Sequence, residues 1–165
     1  MKGNKLTSMA LLTAIALTMF LVEAQIPPLI PVAGVKLGLA NIVTVYAAFT
    51  LGGREAAAIL TVRVVLGSVF SGQVMSLMYA AAGGTLALLV TLGLKRILTR
   101  KQIWVAGCLG AVAHNLGQIA VAIAVTRTPA LISYLPVLLV SGLAAGLFTG
   151  LTAQAMINHM PKQMK

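Results

Sequence analysis

Aspartate is absent from this sequence, and its only carboxylates are those of Glu23 and Glu55. Magnesium-assisted prenyl and phosphoryl transfer need clustered carboxylates, because a hard cation prefers oxygen ligands. The Gly-x-x-x-x-Gly-Lys-Ser/Thr motif that binds nucleotide phosphates is also missing. His114 and His159 do not have the spacing of metal ligands. The sequence therefore predicts a protein that is not an enzyme and that holds no metal or cofactor of its own.

Charged and aromatic residues are scarce, at 8% and 5% of the chain, while 59% of the residues are hydrophobic. The mean hydropathy is +1.01, whereas a soluble domain usually carries about 25% charged residues because its surface faces water. The single cysteine, Cys108, excludes an internal disulfide framework. Most of the surface must therefore face lipid, which predicts an all-α integral membrane protein.

The formal net charge of +10 could indicate nucleic-acid binding, since basic patches bind phosphates. The Lys and Arg residues lie between long apolar runs, however, and do not line one face. Basic residues in such positions orient membrane proteins. We therefore expect the lipid bilayer, and no nucleic acid, as a partner.

Six apolar runs predict about six transmembrane helices, since each span needs about 20 residues. The runs cover approximately residues 6–24, 35–51, 54–70, 74–94, 103–125 and 130–157, so the whole chain, 1–165, is expected to form a single transmembrane domain. With an even number of spans, most of the 12 Lys and Arg residues lie on the side that holds both termini. The positive-inside rule then places both termini in the cytoplasm.

Several polar residues interrupt the apolar runs, and such residues usually face a bundle interior or a cavity because lipid burial is costly. The guanidinium of Arg63 suits a carboxylate or phosphate ligand, although snorkelling or a structural pair is an equal alternative. His114 and Gln118 share a helix face, with hydrogen bonding between helices as the alternative to ligand contact. Together with Glu23, which ends the first span, these residues predict an outward-facing pocket. The candidate ligand-binding residues are Arg63, Asn115, Gln118, Asn41, Lys36 and His114.

Small residues recur at four-residue spacing in two spans, where they allow helices to approach closely. In the last span, Gly142, Gly146 and Gly150 favour packing within the bundle. In the first span, Ala10 and Ala14 fit either internal packing or contact with a partner.

The run from Ile30 to Asn41 (Ile-Pro-Val-Ala-Gly-Val-Lys-Leu-Gly-Leu-Ala-Asn), then Gly52-Gly53-Arg54-Glu55 and Arg63-x-x-x-Gly67, resembles the Gx transporter family. That family has also been labelled heptaprenyl diphosphate synthase component I. The proline-rich first loop and Ala10-x-x-x-Ala14 are similar to those of the substrate-binding S-components of energy-coupling factor (ECF) transporters. The resemblance covers nearly the whole chain and implies an S-component-like six-helix bundle in the bacterial cytoplasmic membrane.

This resemblance implies a subunit that captures a small vitamin-like or cofactor-related solute outside the cell, for which Arg63 suggests an anion. It would associate with an ECF transmembrane coupling subunit and two ATPase subunits, with Ala10 and Ala14 as the docking face and the loop from Gln25 to Lys36 as the gate. The synthase label implies instead an accessory membrane subunit of polyprenyl diphosphate or quinone synthesis. The lack of Asp argues against an active-site role there.

Overall fold

The computed structural model describes residues 2–26, 38–72 and 74–159, and most of these residues are helical. No strand occurs among these residues, so the prediction of an all-α protein is confirmed. Two short 3-10 turns, Arg100–Gln102 and Pro129–Tyr134, precede the last two helices. The helices are α1 (Lys2–Ala24), α2 (Asn41–Thr50), α3 (Gly53–Ser71), α4 (Val74–Lys95), α5 (Ile103–Thr126) and α6 (Leu135–His159).

Glycines with positive φ set several helix boundaries. Gly52, at φ +123°, separates α2 from α3, and Gly72, at φ +64°, ends α3. These conformations are disfavoured for residues with a Cβ, which explains why the helices stop there. Gly38, at φ +81°, lies in the turn that precedes α2. The predicted second span began at about residue 35, whereas α2 begins only at Asn41.

Four stretches are long and apolar enough to cross a membrane: Asn4–Ala24, Val74–Lys95, Arg100–Thr126 and Pro129–His159. Large apolar side chains also cover the outer surface, and Leu6, Val69 and Val140 are each more than two thirds exposed. A soluble monomer rarely exposes so much apolar surface. These features are those of a membrane protein. The ten residues of α2 are too few to span a bilayer. The helix α3 is not among the four stretches because it carries three charged residues, Arg54, Glu55 and Arg63. The structure thus shows four membrane-length apolar helices where six spans were predicted.

Contacts between helix ends define the direction in which the helices run. Lys5, near the start of α1, forms an ion pair with Glu55 in the first turn of α3, so these two helices run the same way. A Cβ on Gly150, late in α6, would lie 2.6 Å from the carbonyl oxygen of Trp104 at the start of α5. The helices α5 and α6 are therefore antiparallel.

The short helix α2 occupies the centre of the bundle and contacts all five other α-helices. Apolar clusters surround it: one joins Val43, Ala47 and Ala48 to α1, α3 and α4, and another joins Val45 to α5 and α6. Burial against several neighbours explains why α2 is apolar over most of its circumference. Its buried residues are Asn41, Ile42, Val43, Thr44, Val45, Ala47 and Ala48.

The glycines of α6 pack against α5. A Cβ on Gly107 would lie 2.4 Å from the Cα of Gly150 and 2.7 Å from the carbonyl oxygen of Gly146. One on Gly142 would lie 2.6 Å from Nδ2 of Asn115. The predicted packing of these glycines within the bundle is confirmed.

Charged side chains from two other helices hold the two ends of α2. The carboxylate of Glu23 accepts hydrogen bonds from the backbone N–H groups of Gly38 (2.5 Å) and Leu39 (3.0 Å), in the turn before α2. At the other end, Nζ of Lys95 donates to the carbonyl oxygen of Ala48 at 2.6 Å. An acid at the amino end and a base at the carboxyl end both complement the helix dipole.

Replacing Lys95 with Met should lower the free energy of unfolding by about 1 kcal/mol, because the end of α2 loses a charged hydrogen-bond donor. The control is Arg96→Met, which removes a neighbouring exposed cation. Denaturation in detergent, followed by circular dichroism, measures both. Equal losses in the two variants would show that the contact with Ala48 contributes nothing.

Candidate functional site

Six polar side chains from five helices surround one small cavity. They lie at the end of the bundle where α1 ends and α2 begins. Phe20, Gly38, Ala40 and Ala80 complete the described lining. All six polar side chains are buried, although most of the other buried residues are apolar. The six are Glu23 from α1, Asn41 from α2, Arg63 from α3, Ser76 from α4, and His114 and Gln118 from α5.

Local helix geometry brings these side chains together. His114 and Gln118 are one turn apart on α5 and so point the same way. A Cβ on Gly83 of α4 would lie 2.9 Å from Nδ1 of His114, and one on Gly38 would lie 2.9 Å from Nδ2 of Asn41. Glycine at both positions lets the surrounding backbone close around the polar cluster.

Several buried polar atoms at the cavity lack hydrogen-bond partners within the described ranges. They are Nε of Arg63, both amide atoms of Asn41 and Oε1 of Gln118. Nδ1 of His114 lies against the backbone of Gly83 without a hydrogen bond of good geometry. More than about 90% of buried polar groups in proteins are satisfied. The concentration of unpaired atoms at one place therefore distinguishes this cavity from the rest of the interior.

Opposite charges meet at the cavity. Arg63 is 3% exposed and Glu23 is 4% exposed, and their charges interact. The Glu23 carboxylate also binds the backbone N–H groups of Gly38 and Leu39. Glu23 thus links the buried guanidinium to the amino end of α2.

The cavity among the described residues is small. Its internal volume is about 20 Å³, roughly the space that one water molecule requires. A larger ligand therefore needs more room than the described helices leave.

A family model described as heptaprenyl diphosphate synthase component I matches residues 12–156. The chain belongs to this family. No curated protein and no solved structure matches the sequence. The matched residues include all six polar side chains of the cavity. The resemblance to the family labelled heptaprenyl diphosphate synthase component I is confirmed, whereas the similarity to ECF S-components stays a prediction.

The fold brings four of the predicted site residues together at the cavity: Arg63, Gln118, Asn41 and His114. Asn115 is buried elsewhere, between α5 and α6, where its Nδ2 donates to the carbonyl oxygen of Leu138 at 2.6 Å. Lys36 lies outside the described residues. So does most of the predicted gate, of which only Gln25 and Ile26 are described.

Six of the described lining residues were not among the candidates for ligand contact: Phe20, Glu23, Gly38, Ala40, Ser76 and Ala80. Phe20 and Glu23 are three residues apart and share a face of α1. The sequence analysis placed Glu23 at the pocket, as a carboxylate at the end of an otherwise apolar span, but did not assign it to ligand contact. Ser76 carries no comparable signal, since serine is common where helices pack.

Ala10 and Ala14 lie on the outer face of α1, away from the cavity, and both are exposed. Their neighbour Leu11 is 61% exposed. This face of α1 is therefore free to contact lipid or another protein. The described residues contain no group of three or more potential metal ligands.

Proposed function

We propose that this protein is a membrane-embedded solute-binding subunit of an ATP-driven importer of the ECF type. The observation that carries the proposal is the cavity, where buried polar side chains from five helices converge with unpaired atoms. Polar residues concentrated inside an apolar bundle are costly, and a polar ligand offsets that cost. A passive anchor would need no such arrangement.

The proposed arrangement has six helices in the membrane and both termini in the cytoplasm. The distribution of Lys and Arg along the sequence supports it. The parallel start of α1 and α3 and the antiparallel pairing of α5 and α6 are compatible with it. In this orientation the end of α1, with Glu23 and the cavity, faces outward.

The proposed transport cycle begins with ligand capture from outside and ends with release inward after the bundle reorients. The ligand is a small vitamin-like or cofactor-related solute. The sequence has no nucleotide-binding motif, so partner ATPase subunits supply the energy. The exposed face of α1 with Ala10 and Ala14 would contact the transmembrane coupling subunit, because small side chains allow close helix approach.

A ligand assay tests this proposal. Protein extracted in mild detergent should retain a small molecule that mass spectrometry identifies, and a vitamin, flavin or quinone precursor should raise its unfolding temperature. Gln118→Leu should weaken binding of the stabilising compound about tenfold or more, because the site loses a buried hydrogen-bonding group.

The matched control is Asn115→Leu, which changes a residue on the same helix, α5, but on a different face. Asn115 bonds to α6 and does not line the cavity, so this variant should lose stability while its affinity for the compound stays the same. A protein that retains no molecule and is stabilised by no compound would contradict the proposal.

The alternative function is an accessory membrane subunit for polyprenyl diphosphate or quinone synthesis, without catalytic residues of its own. The family description names a component of such a synthase, and the exposed cations Arg96, Arg100 and Lys101 after α4 could bind an acidic partner. Affinity purification from membranes separates the two functions. ATPase subunits in the eluate support the importer, and a prenyl synthase supports the alternative.

A further inference from the structure

The unpaired atoms at the cavity include both hydrogen-bond donors and acceptors. Nε of Arg63 and Nδ2 of Asn41 donate, whereas Oδ1 of Asn41 and Oε1 of Gln118 accept. None of these four atoms has a partner within the described part of the chain. Each side chain lines the cavity and is at most 5% exposed. A ligand that satisfies them must carry acceptors and a donor close together.

The formal charges of the described lining residues balance without a ligand. Among the described lining residues, Arg63 and Glu23 carry opposite formal charges, and His114 is formally neutral. The Glu23 carboxylate interacts with the guanidinium of Arg63. An anionic ligand would therefore leave an uncompensated negative charge in a buried site, which is unfavourable.

We propose that the ligand is uncharged where it contacts the cavity and presents a cis-amide edge. Such an edge is an adjacent C=O and N–H, as in a primary carboxamide, a lactam or a cyclic imide. The carboxamide of Asn41 is its complement, because one donor and one acceptor can form two antiparallel hydrogen bonds with it. This inference rests on the proposed function, since it specifies the ligand of the same cavity.

A carboxylate or phosphate is a poorer match for the same atoms. Both groups offer only acceptors when ionised, so Oδ1 of Asn41 and Oε1 of Gln118 would stay unpaired in a buried site. The inference therefore differs from the anionic ligand that Arg63 alone suggested. In the folded protein, Glu23 supplies the negative charge that such a ligand would have brought.

Matched probe compounds test the inference on the full chain in lipid nanodiscs. Nicotinamide and nicotinate have nearly the same shape, but only nicotinamide has an amide edge. Uracil and 1,3-dimethyluracil differ in whether the imide N–H is available. We expect nicotinamide and uracil to raise the unfolding temperature with an apparent Kd about tenfold or more below those of nicotinate and dimethyluracil. Inorganic phosphate should have no effect.

Two variants link the preference to the cavity. Asn41→Asp keeps the size of the side chain but replaces the donor with an acceptor and adds a negative charge, so the preference for nicotinamide over nicotinate should disappear. Gln118→Glu provides a second test if the first variant does not fold. The control, Gln154→Glu, makes the same amide-to-acid change at the opposite end of the bundle, beside the backbone N–H of Trp104, and should retain the preference.

Two results would overturn the inference, and they are distinguishable. If nicotinate or phosphate stabilises as well as nicotinamide, or if the co-purified molecule is an anion without an amide edge, the inference fails and the proposed function stands. If no probe stabilises and no molecule co-purifies, both fail.

Discussion

Glu23→Gln should lower the free energy of unfolding by about 2–3 kcal/mol. The variant keeps the size of the side chain, but one oxygen that accepts from the backbone N–H of Gly38 or Leu39 becomes a donor. Arg63 also loses the buried negative charge with which it interacts. Both changes act at the same point, where α1, α2 and α3 meet. Chemical denaturation in detergent micelles, followed by circular dichroism, measures the loss.

The chain provides its own control for this prediction, because its only other carboxylate is at the surface. Glu55 pairs with Lys5, and their side chains are 21% and 49% exposed. Exposed ion pairs contribute little to stability, so Glu55→Gln should leave the unfolding midpoint unchanged.

A double variant separates the two roles of Glu23. Adding Arg63→Gln to Glu23→Gln removes the unbalanced guanidinium, so the double variant should be more stable than the sum of the single losses predicts. Strict additivity would show that the charges of Arg63 and Glu23 do not depend on each other. Glu23 would then stabilise the protein only as a cap for α2.

Gly107→Val should prevent α5 and α6 from packing, with a loss of more than about 4 kcal/mol or no folded protein at all. The Cβ alone would lie 2.4 Å from the Cα of Gly150 and 2.7 Å from the carbonyl oxygen of Gly146. Both neighbours are backbone, which cannot move aside as a flexible side chain can. The yield of monodisperse protein in size-exclusion chromatography and the unfolding temperature measure the effect.

The matched control is another helical glycine in an open position. No atom lies within 4 Å of a Cβ built on Gly93 in α4. Gly93→Ala should therefore be neutral or stabilise by up to about 1 kcal/mol through helix propensity. A similar loss in both variants would mean that glycine is needed for backbone freedom and not for the close approach of α5 and α6.

Helix boundaries were predictable where charges or turn residues interrupt apolar runs. The predicted spans 74–94 and 103–125 match α4 (Val74–Lys95) and α5 (Ile103–Thr126). The second span failed at its start, because an apolar run ahead of Asn41 does not reveal that Gly38 adopts a positive φ. A high hydropathy shows only that a segment suits lipid or a protein core. The largely buried α2 has such a hydropathy but is too short to span a membrane.

Part of the site was predictable from spacing alone. His114 and Gln118 share a helix face, and both line the cavity. The sequence could not show that Asn115 lies outside the cavity. Its side chain points about 100° further around the helix than that of His114, and what it contacts there depends on which helices pack against α5. There it meets the carbonyl oxygen of Leu138 on α6. The pairing of Glu23 with the turn before α2 depends on chain segments that approach only in the folded bundle.

The shortness of α2 has an electrical consequence. Ten residues of helix rise about 15 Å, roughly half the ~30 Å thickness of the hydrocarbon core. In the proposed membrane arrangement, the cavity therefore extends from near mid-depth, at the amino end of α2, to the outer end of α1 with Glu23. An ion that entered it from outside would cross at most about half of the transmembrane voltage, which corresponds to no more than roughly 1 kcal/mol per elementary charge at 100 mV. A neutral ligand would occupy the same position independently of the voltage, so the energised state of the cell would neither favour nor oppose its capture.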